Sequence, residues 1–308
     1  MLNVLPIRLS RPHPDTVDWI IVSFARCVFA GLRALPLRGA ARVGRFLGWI
    51  AFVLDRRHRR VALVNLEAVF GQEKSPREIT ALGRENFRRI GEAFVGGICT
   101  AGLAGAALDR VLEIEGGDKL LPKPGEDPTR SRIVGMGHFG NFEIFANTAH
   151  FLPGYKAATT YRAVKPNALN DLLLSYRESL HTVFFERTRD AVRIKSNLKS
   201  GGIMLGLFSD QNGGPRGIKG PFLGIECSTS AAPVVFCRRF NLPLFTAIFY
   251  RTDLGRWRIE VGDEIPLTEN GEPRSPQAIT KDMNHAFEQA VRRDPANWFW
   301  VHNRWRLA

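Results

Sequence analysis

Cysteine is scarce in this chain. Cys27, Cys99, Cys227 and Cys237 are the only four in 308 residues. None forms a C-x-x-C pair, and no histidine stands at zinc-finger spacing from a cysteine pair. A dithiol redox motif and a structural zinc ribbon are therefore excluded. Such thiols read as small buried hydrophobes in a reducing compartment. There is no G-x-S-x-G, which removes the serine nucleophile elbow. There is no H-E-x-x-H and no paired-carboxylate cluster, so nothing points to a catalytic metal. Internal repeats and low-complexity segments are missing as well. No apolar run reaches the ~20 residues that a spanning helix wants. The nearest, 17–35, carries Trp19, Phe24 and Phe29 but is interrupted by Arg26 and Arg33. No small-residue cleavage site follows a clean apolar core, which argues against a secretory signal peptide. An amphipathic helix lying in a membrane interface fits this segment, with its arginines at the headgroups; a surface helix packed on the core is the alternative. Acidic residues are also few. Thirty Asp and Glu stand against forty-three Lys and Arg, a net charge of +13. Such a surface attracts anionic partners, whether nucleic acid, anionic lipid or an acidic protein.

Ordinary globular material is present. The hydrophobic fraction of 44% is enough for a real core. Residues 46–54 form a second apolar stretch, with Trp49, that runs into Asp55-Arg56-Arg57-His58-Arg59-Arg60. Basic clusters of this kind suit lipid headgroups or nucleic acid, and the adjoining hydrophobics favour lipid. The first hundred residues read as helices. In 77–99 the apolar residues Ile79, Leu82, Phe87, Ile90 and Phe94 recur at helical spacing behind Ser75-Pro76, an N-cap and first-turn proline. Strands are expected at 111–116, 133–137, 157–161, 183–185, 203–209, 244–250 and 257–261. Helices are expected at 141–151, 167–180, 190–199, 229–240 and 276–292. Strands alternating with helices imply an α/β fold with a central mostly parallel or mixed sheet flanked by helices. No linker stands out. The expected organisation is a helical N-terminal membrane-associating region, 1–105, continuous with an α/β domain, 106–308.

The richest segment is Ile133-Val134-Gly135-Met136-Gly137-His138-Phe139-Gly140-Asn141-Phe142-Glu143. It reads as an apolar strand that ends on glycines, presents a histidine and enters a helix. Two helical residues five apart sit ~140° apart on the helix. His138 and Glu143 therefore meet only if His138 lies before the helix, on a turn that Gly135, Gly137 and Gly140 make feasible. Glu143 can then accept the Nδ1 proton and leave Nε2 free as a base. A satisfied strand-end histidine beside a solvated first-turn acid is the alternative. The run Gly135 to Gly140 also satisfies G-x-G-x-x-G. A dinucleotide site wants an acid about twenty residues on; Thr159, Thr160, Tyr161 and Arg162 stand there instead. His150, His181, His285 and His302 read as structural or surface residues.

G-H-F-G-N-F-E resembles the active-site block of the bacterial lipid A biosynthesis acyltransferases, within the wider lysophospholipid acyltransferase superfamily. Further blocks resemble that family in order. They are Arg59 to Leu66 with Phe70; Tyr161-Arg162 with Pro166 and Arg177; Ser209-Asp210-Gln211; Pro221 to Gly224 with Ser228-Thr229; and Pro295 through Trp298-Phe299-Trp300-Val301-His302-Asn303-Arg304-Trp305. The resemblance spans about residues 17–306. The loop 122–130 is longer and more charged than the family leads one to expect, and Asn303 stands where a basic residue is more usual. The resemblance implies transfer of a fatty acyl chain from a thioester, on acyl carrier protein or coenzyme A, to a hydroxyl of an anionic glycolipid such as a lipid A precursor. It implies no cofactor beyond that co-substrate, and a place at the cytoplasmic face of the bacterial inner membrane. The catalytic residues it implies are His138 and Glu143, with Arg162 or backbone N–H groups of 137–140 facing an oxyanion and Asp210 in support. Gly140, Asn141, Arg177, Gln211, Phe222 and Thr229 are the implied substrate-binding residues. Phe222, Leu223 and Trp298 to Trp300 could line an acyl groove or be plain core. Two alternatives remain: the same chemistry on another acceptor (a phosphoglycolipid, lysophospholipid or amino lipid), and a basic peripheral membrane or nucleic-acid-binding protein without catalysis.

Overall fold

The computed structural model describes residues 16–178 and 182–307. Four helices come first: α1 (Thr16–Ala34), α2 (Leu37–Leu54), α3 (Arg56–Phe70) and α4 (Pro76–Thr100). The start of α4 is fixed as its sequence suggests. Ser75 Oγ accepts from the Glu78 N–H, and Glu78 Oε2 accepts from the Ser75 N–H at 2.8 Å, a capping box with proline in the first turn. α2 and α4 pack backbone to backbone. A Cβ on Gly48 would lie 2.1 Å from the Phe87 carbonyl oxygen, so only glycine permits this crossing.

After the short α5 (Ala106–Asp109) the alternation begins. It runs β1 (Leu112–Glu115), β2 (Arg132–Met136), a 3-10 helix (Phe142–Phe151), β3 (Lys156–Tyr161), α6 (Asn167–Glu178), β4 (Val183–Glu186), α7 (Ala191–Ser200) and β5 (Ile203–Phe208). A hairpin of β6 (Ile218–Phe222) and β7 (Ile225–Thr229) follows, then α8 (Ala232–Phe240), β8 (Leu244–Asp253), β9 (Arg256–Val261), a two-residue-stranded hairpin of β10 (Thr268–Glu269) and β11 (Glu272–Pro273), and α9 (Pro276–Arg293). The main sheet has seven strands in the order β1-β9-β8-β2-β5-β3-β4. Every neighbouring pair is parallel except β8 with β9. The sheet is thus mixed and mostly parallel, with helices against it. β2 is buried along its whole length, which is why it reads from Ile133 onward as an unbroken apolar run rather than an alternating one.

Several details depart from the sequence expectations. The segment after His138 is a 3-10 helix and not an α-helix. The β6–β7 hairpin has no counterpart among the expected elements, and Thr229 closes β7 instead of opening a helix. The four thiols are not all buried: Cys237 is, but Cys27 is exposed on α1. The charged loop before β2 has a structural reason. Arg132 at the start of that strand is buried, and Glu126 of the loop meets its guanidinium at 2.8 Å. A buried charge needs such a partner.

Among the described residues no helix is long and apolar enough to cross a membrane. The outer faces of α1 and α2 nonetheless expose Trp19, Phe24, Phe46 and Leu54, each more than half accessible. His181 lies outside the described residues.

Candidate active site

Strand register assembles the site. β2 and β5 are parallel neighbours, and Met136 pairs with Phe208. The residues two beyond each, His138 and Asp210, therefore leave the carboxyl edge of the sheet side by side. His138 Nδ1 lies 2.8 Å from Asp210 Oδ1, and the His138 backbone N–H donates to Asp210 Oδ2 at 2.9 Å. A third donor, the indole N–H of Trp298, reaches the same Oδ2 at 2.8 Å. Asp210 is fully buried. Burial alone would push its carboxyl up, but the charge and hydrogen bonds of His138 and the Trp298 N–H outweigh it and hold the carboxyl below its ordinary value. An ionised Asp210 accepts the Nδ1 proton and leaves Nε2 as the basic nitrogen.

The Nδ1 position expected for Glu143 thus belongs to Asp210. The reason is the local backbone. Gly140 takes a positive φ of 45°, and the chain then enters the 3-10 helix, which carries Glu143 onto the wall of a cavity that His138 also lines. That cavity, of about 250 Å³, is further lined by Phe142, Tyr161, Arg162 and Phe208. Rings crowd the imidazole, with centroids of Phe208 at 4.5 Å and Phe142 at 4.9 Å. Arg162 arrives from the carboxyl end of β3 and is exposed. A second, more apolar cavity of about 300 Å³ adjoins the first and shares Glu143, Ala146 and Leu173 with it. Its remaining wall includes Phe29 of α1, Phe94 and Ile98 of α4, and Tyr176 of α6.

Of the backbone donors expected for an oxyanion at 137–140, those of 138, 139 and 140 are already engaged. His138 N–H goes to Asp210, Phe139 N–H to the Gly137 carbonyl, and Gly140 N–H to the Asn297 carbonyl at 2.9 Å. Arg162 is the expected oxyanion donor that the structure does place on the cavity wall.

The other expected substrate-binding residues form the framework. A Cβ on Gly140 would meet the Phe249 carbonyl oxygen at 2.7 Å, so this glycine shapes the turn. Asn141 is buried, its Nδ2 3.4 Å from Thr100 Oγ1. Phe222 and Thr229 are fully buried and line neither cavity. Between the two expectations of an acyl groove or plain core, Phe222, Trp298 and Trp300 are packed core, with Trp298 and Trp300 4.7 Å apart edge to face, whereas half-buried Phe299 lines a small pocket with His138, ring centroids 5.8 Å apart. Arg177 falls on α6, and its side chain lies outside what is described.

One unforeseen residue ties this framework together. Arg304 is buried, with its guanidinium over the Phe222 ring at 5.0 Å. It donates to the carbonyls of Gln211 and Ser228, both at 2.6 Å, and to Thr229 Oγ1 at 2.7 Å. Gln211 therefore contributes its backbone to Arg304. His302 is likewise structural. Burial pushes its imidazole down, and its neutral Nε2 accepts the Asn212 N–H at 3.1 Å. The signal available in sequence was the W-x-W-x-H-x-R-W spacing, which marks the block without revealing what each residue grips. Among the described residues no group of three or more His, Cys, Asp or Glu could hold a metal ion.

A mostly parallel α/β sheet sets a buried carboxylate behind a histidine that lines a cavity, an arrangement suited to general-base chemistry. Residues 10–307 match the family model for bacterial lipid A biosynthesis acyltransferase, and the chain belongs to that family of acyltransferases. Among its relatives are the lipid A biosynthesis palmitoleoyltransferase of Escherichia coli (strain K12) and the lipid A biosynthesis acyltransferase of Shigella flexneri. Each is 25% identical over 285 residues, covering 88% of this chain and 86% of the relative. The crystal structure of the 1-acyl-sn-glycerophosphate acyltransferase PlsC from Thermotoga maritima aligns with a TM-score of 0.39 at 14% identity, over 85% of this chain and 99% of that one.

Proposed function

We propose that this acyltransferase moves a fatty acyl chain from a thioester, on acyl carrier protein or coenzyme A, to a hydroxyl of a lipid A precursor at a membrane surface. The observation that carries this reading is the His138–Asp210 pair, which leaves Nε2 at a cavity also lined by Arg162. Nε2 takes the acceptor hydroxyl proton as the oxygen bonds to the thioester carbonyl carbon. Arg162 faces the oxygen that becomes negative. The carbon–sulfur bond then breaks, and the thiolate takes the proton back from Nε2. Asp210 orients the ring. Glu143, on the wall between the two cavities, stabilises the imidazolium that forms between these steps. The acyl chain occupies the adjoining apolar cavity.

Net charge and exposed apolar helices support the membrane and anionic-partner parts of the reading. Trp19, Phe24, Phe46 and Leu54 give α1 and α2 a face suited to the headgroup boundary, on a chain of charge +13. An acidic carrier protein and a phosphorylated glycolipid are both attracted to such a surface.

The test is transfer by the purified protein to a lipid A precursor, with acyl carrier protein and coenzyme A thioesters offered separately and products weighed by mass spectrometry. Addition of one acyl mass, lost in His138→Ala with the fold retained by circular dichroism, is the expected result. Turnover by folded His138→Ala would sink the mechanism. Acylation of a lysophospholipid in preference to the glycolipid would replace the acceptor.

A further inference from the structure

The second oxygen of Asp210 has more to do than mechanism requires. Orienting His138 needs only Oδ1 on Nδ1. Oδ2 nevertheless collects two donors, the His138 N–H at 2.9 Å and the Trp298 indole N–H at 2.8 Å. The indole is fixed in its turn. Trp298 is 1% exposed and packs against Phe222, Trp300 and Trp305 with ring centroids 4.7–5.9 Å away. Its carbonyl accepts from Asn86 of α4, and its backbone bridges Phe139, the residue after the base. The same C-terminal segment grips the two residues after Asp210, through Arg304 on the Gln211 carbonyl and His302 on the Asn212 N–H.

A carboxylate turns in a broad torsional well about its last bond. The His138 ring on Oδ1 and the His138 backbone N–H on Oδ2 restrain that rotation from one side only, and the rigid indole N–H on Oδ2 closes it from the other. We infer that Trp298 is a positioning residue of the acyl-transfer site, its indole N–H completing, with the His138 backbone N–H, the lock on the Asp210 carboxylate so that Oδ1 stays in line with His138 Nδ1. This inference rests on the proposed base role of His138 for its kinetic consequences, but its structural core does not.

The experiment therefore reads both. Trp298→Phe keeps an aromatic ring and removes the N–H. Benzothienylalanine placed at 298 keeps the bicyclic ring and replaces only the N–H by sulfur, and it serves where phenylalanine disturbs folding. Trp305→Phe is the control, since Trp305 belongs to the same cluster but donates to the Phe222 carbonyl at 3.2 Å. The first readout is the proton NMR resonance of the hydrogen-bonded His138 Nδ1–H in full-length protein, assigned by its loss in His138→Ala. The second is the pH profile of kcat and KM with an acyl thioester. The charged and titratable groups around His138 are Asp210, Glu143, Arg162, His302, and Arg89 of α4, which lines a small pocket with His138. None is changed in these variants.

Removing a hydrogen bond to a charged group lowers kcat by about tenfold to a hundredfold. The expected result is that loss in both 298 variants, with KM unchanged, the acidic limb of the profile moved to higher pH and the Nδ1–H resonance displaced or exchange-broadened. Trp305→Phe keeps the resonance and the limb. A wild-type resonance and profile in the benzothienylalanine protein would overturn the inference, and so would equal changes in the Trp305 control. If wild-type protein transfers no acyl group yet the resonance responds at 298 alone, the locking stands and the acyl-transfer reading fails.

Discussion

Asp210→Asn separates orientation from every other role the dyad could have, because its consequence can be worked out donor by donor. Three N–H groups converge on the carboxylate: His138 Nδ1–H on Oδ1, and His138 N–H with Trp298 Nε1–H on Oδ2. An asparagine has one acceptor oxygen and one NH₂. With NH₂ at the Oδ2 position, two buried donors are left unpaired, at about 1–3 kcal/mol each. With NH₂ at the Oδ1 position, all three contacts survive if the imidazole moves its proton from Nδ1 to Nε2. The second arrangement is preferred by at least ~2 kcal/mol, about thirtyfold in population. The variant thus folds and keeps its cavity, but Nε2 carries a proton and cannot act as a base. A misplaced tautomer of this kind costs roughly 10⁴-fold in kcat. Steady-state kinetics with an acyl thioester measure the loss, and ¹⁵N shifts of the His138 ring nitrogens report the tautomer. Activity within tenfold of wild type, or a ring still protonated at Nδ1, would refute the reasoning. The same variant reports on acid stability. Folded Asp210 is held below its ordinary 3.8 by His138 and Trp298 against the opposing effect of burial. The unfolded chain takes up that proton first as pH falls, so this contribution to stability is complete above about 3.8 and is lost as pH drops through the lower folded value. Unfolding free energy should therefore fall less steeply below pH 4 in Asp210→Asn than in wild type.

Arg162→Ala should cut kcat about a hundredfold or more, the cost of one oxyanion donor, while KM for the thioester changes little. A loss confined to KM would make Arg162 a binding residue. Gly140→Ala should destabilise the fold by about 2–4 kcal/mol, since a left-handed alanine costs ~1–2 kcal/mol and its Cβ would press on the Phe249 carbonyl at 2.7 Å. Chemical denaturation checks this, and a stability within about 0.5 kcal/mol of wild type, the range of a substitution that meets nothing, would show that the turn relaxes.

What the sequence made legible was local. The apolar run before His138 announced a strand, and Ser75-Pro76 announced the start of α4, because caps and strand ends are written in adjacent residues. The partner of His138 was harder. Glu143 is five positions away and is the partner that spacing suggests; Asp210 is seventy-two positions away and reaches Nδ1 through the β2–β5 register. Nothing local states which strands become neighbours. The same limit applies to Phe222 and Thr229. An ordered block of residues marks that a position matters, yet it does not distinguish a side chain that meets substrate from one that holds Arg304.

Glycine conformation sharpens the point. Of the three glycines around His138, only Gly140 adopts a positive φ. That one torsion turns the following 3-10 helix, carries Glu143 to the cavity wall, and lets the Gly140 N–H reach the Asn297 carbonyl. The Asn297 carbonyl belongs to the segment that delivers the Trp298 indole to Asp210. The turn that displaces Glu143 from Nδ1 is thus tied by hydrogen bonds to the C-terminal segment that secures Asp210 there. His138, Asp210 and the Trp298 indole form one hydrogen-bonded unit, drawn from three parts of the chain that only the folded sheet brings together.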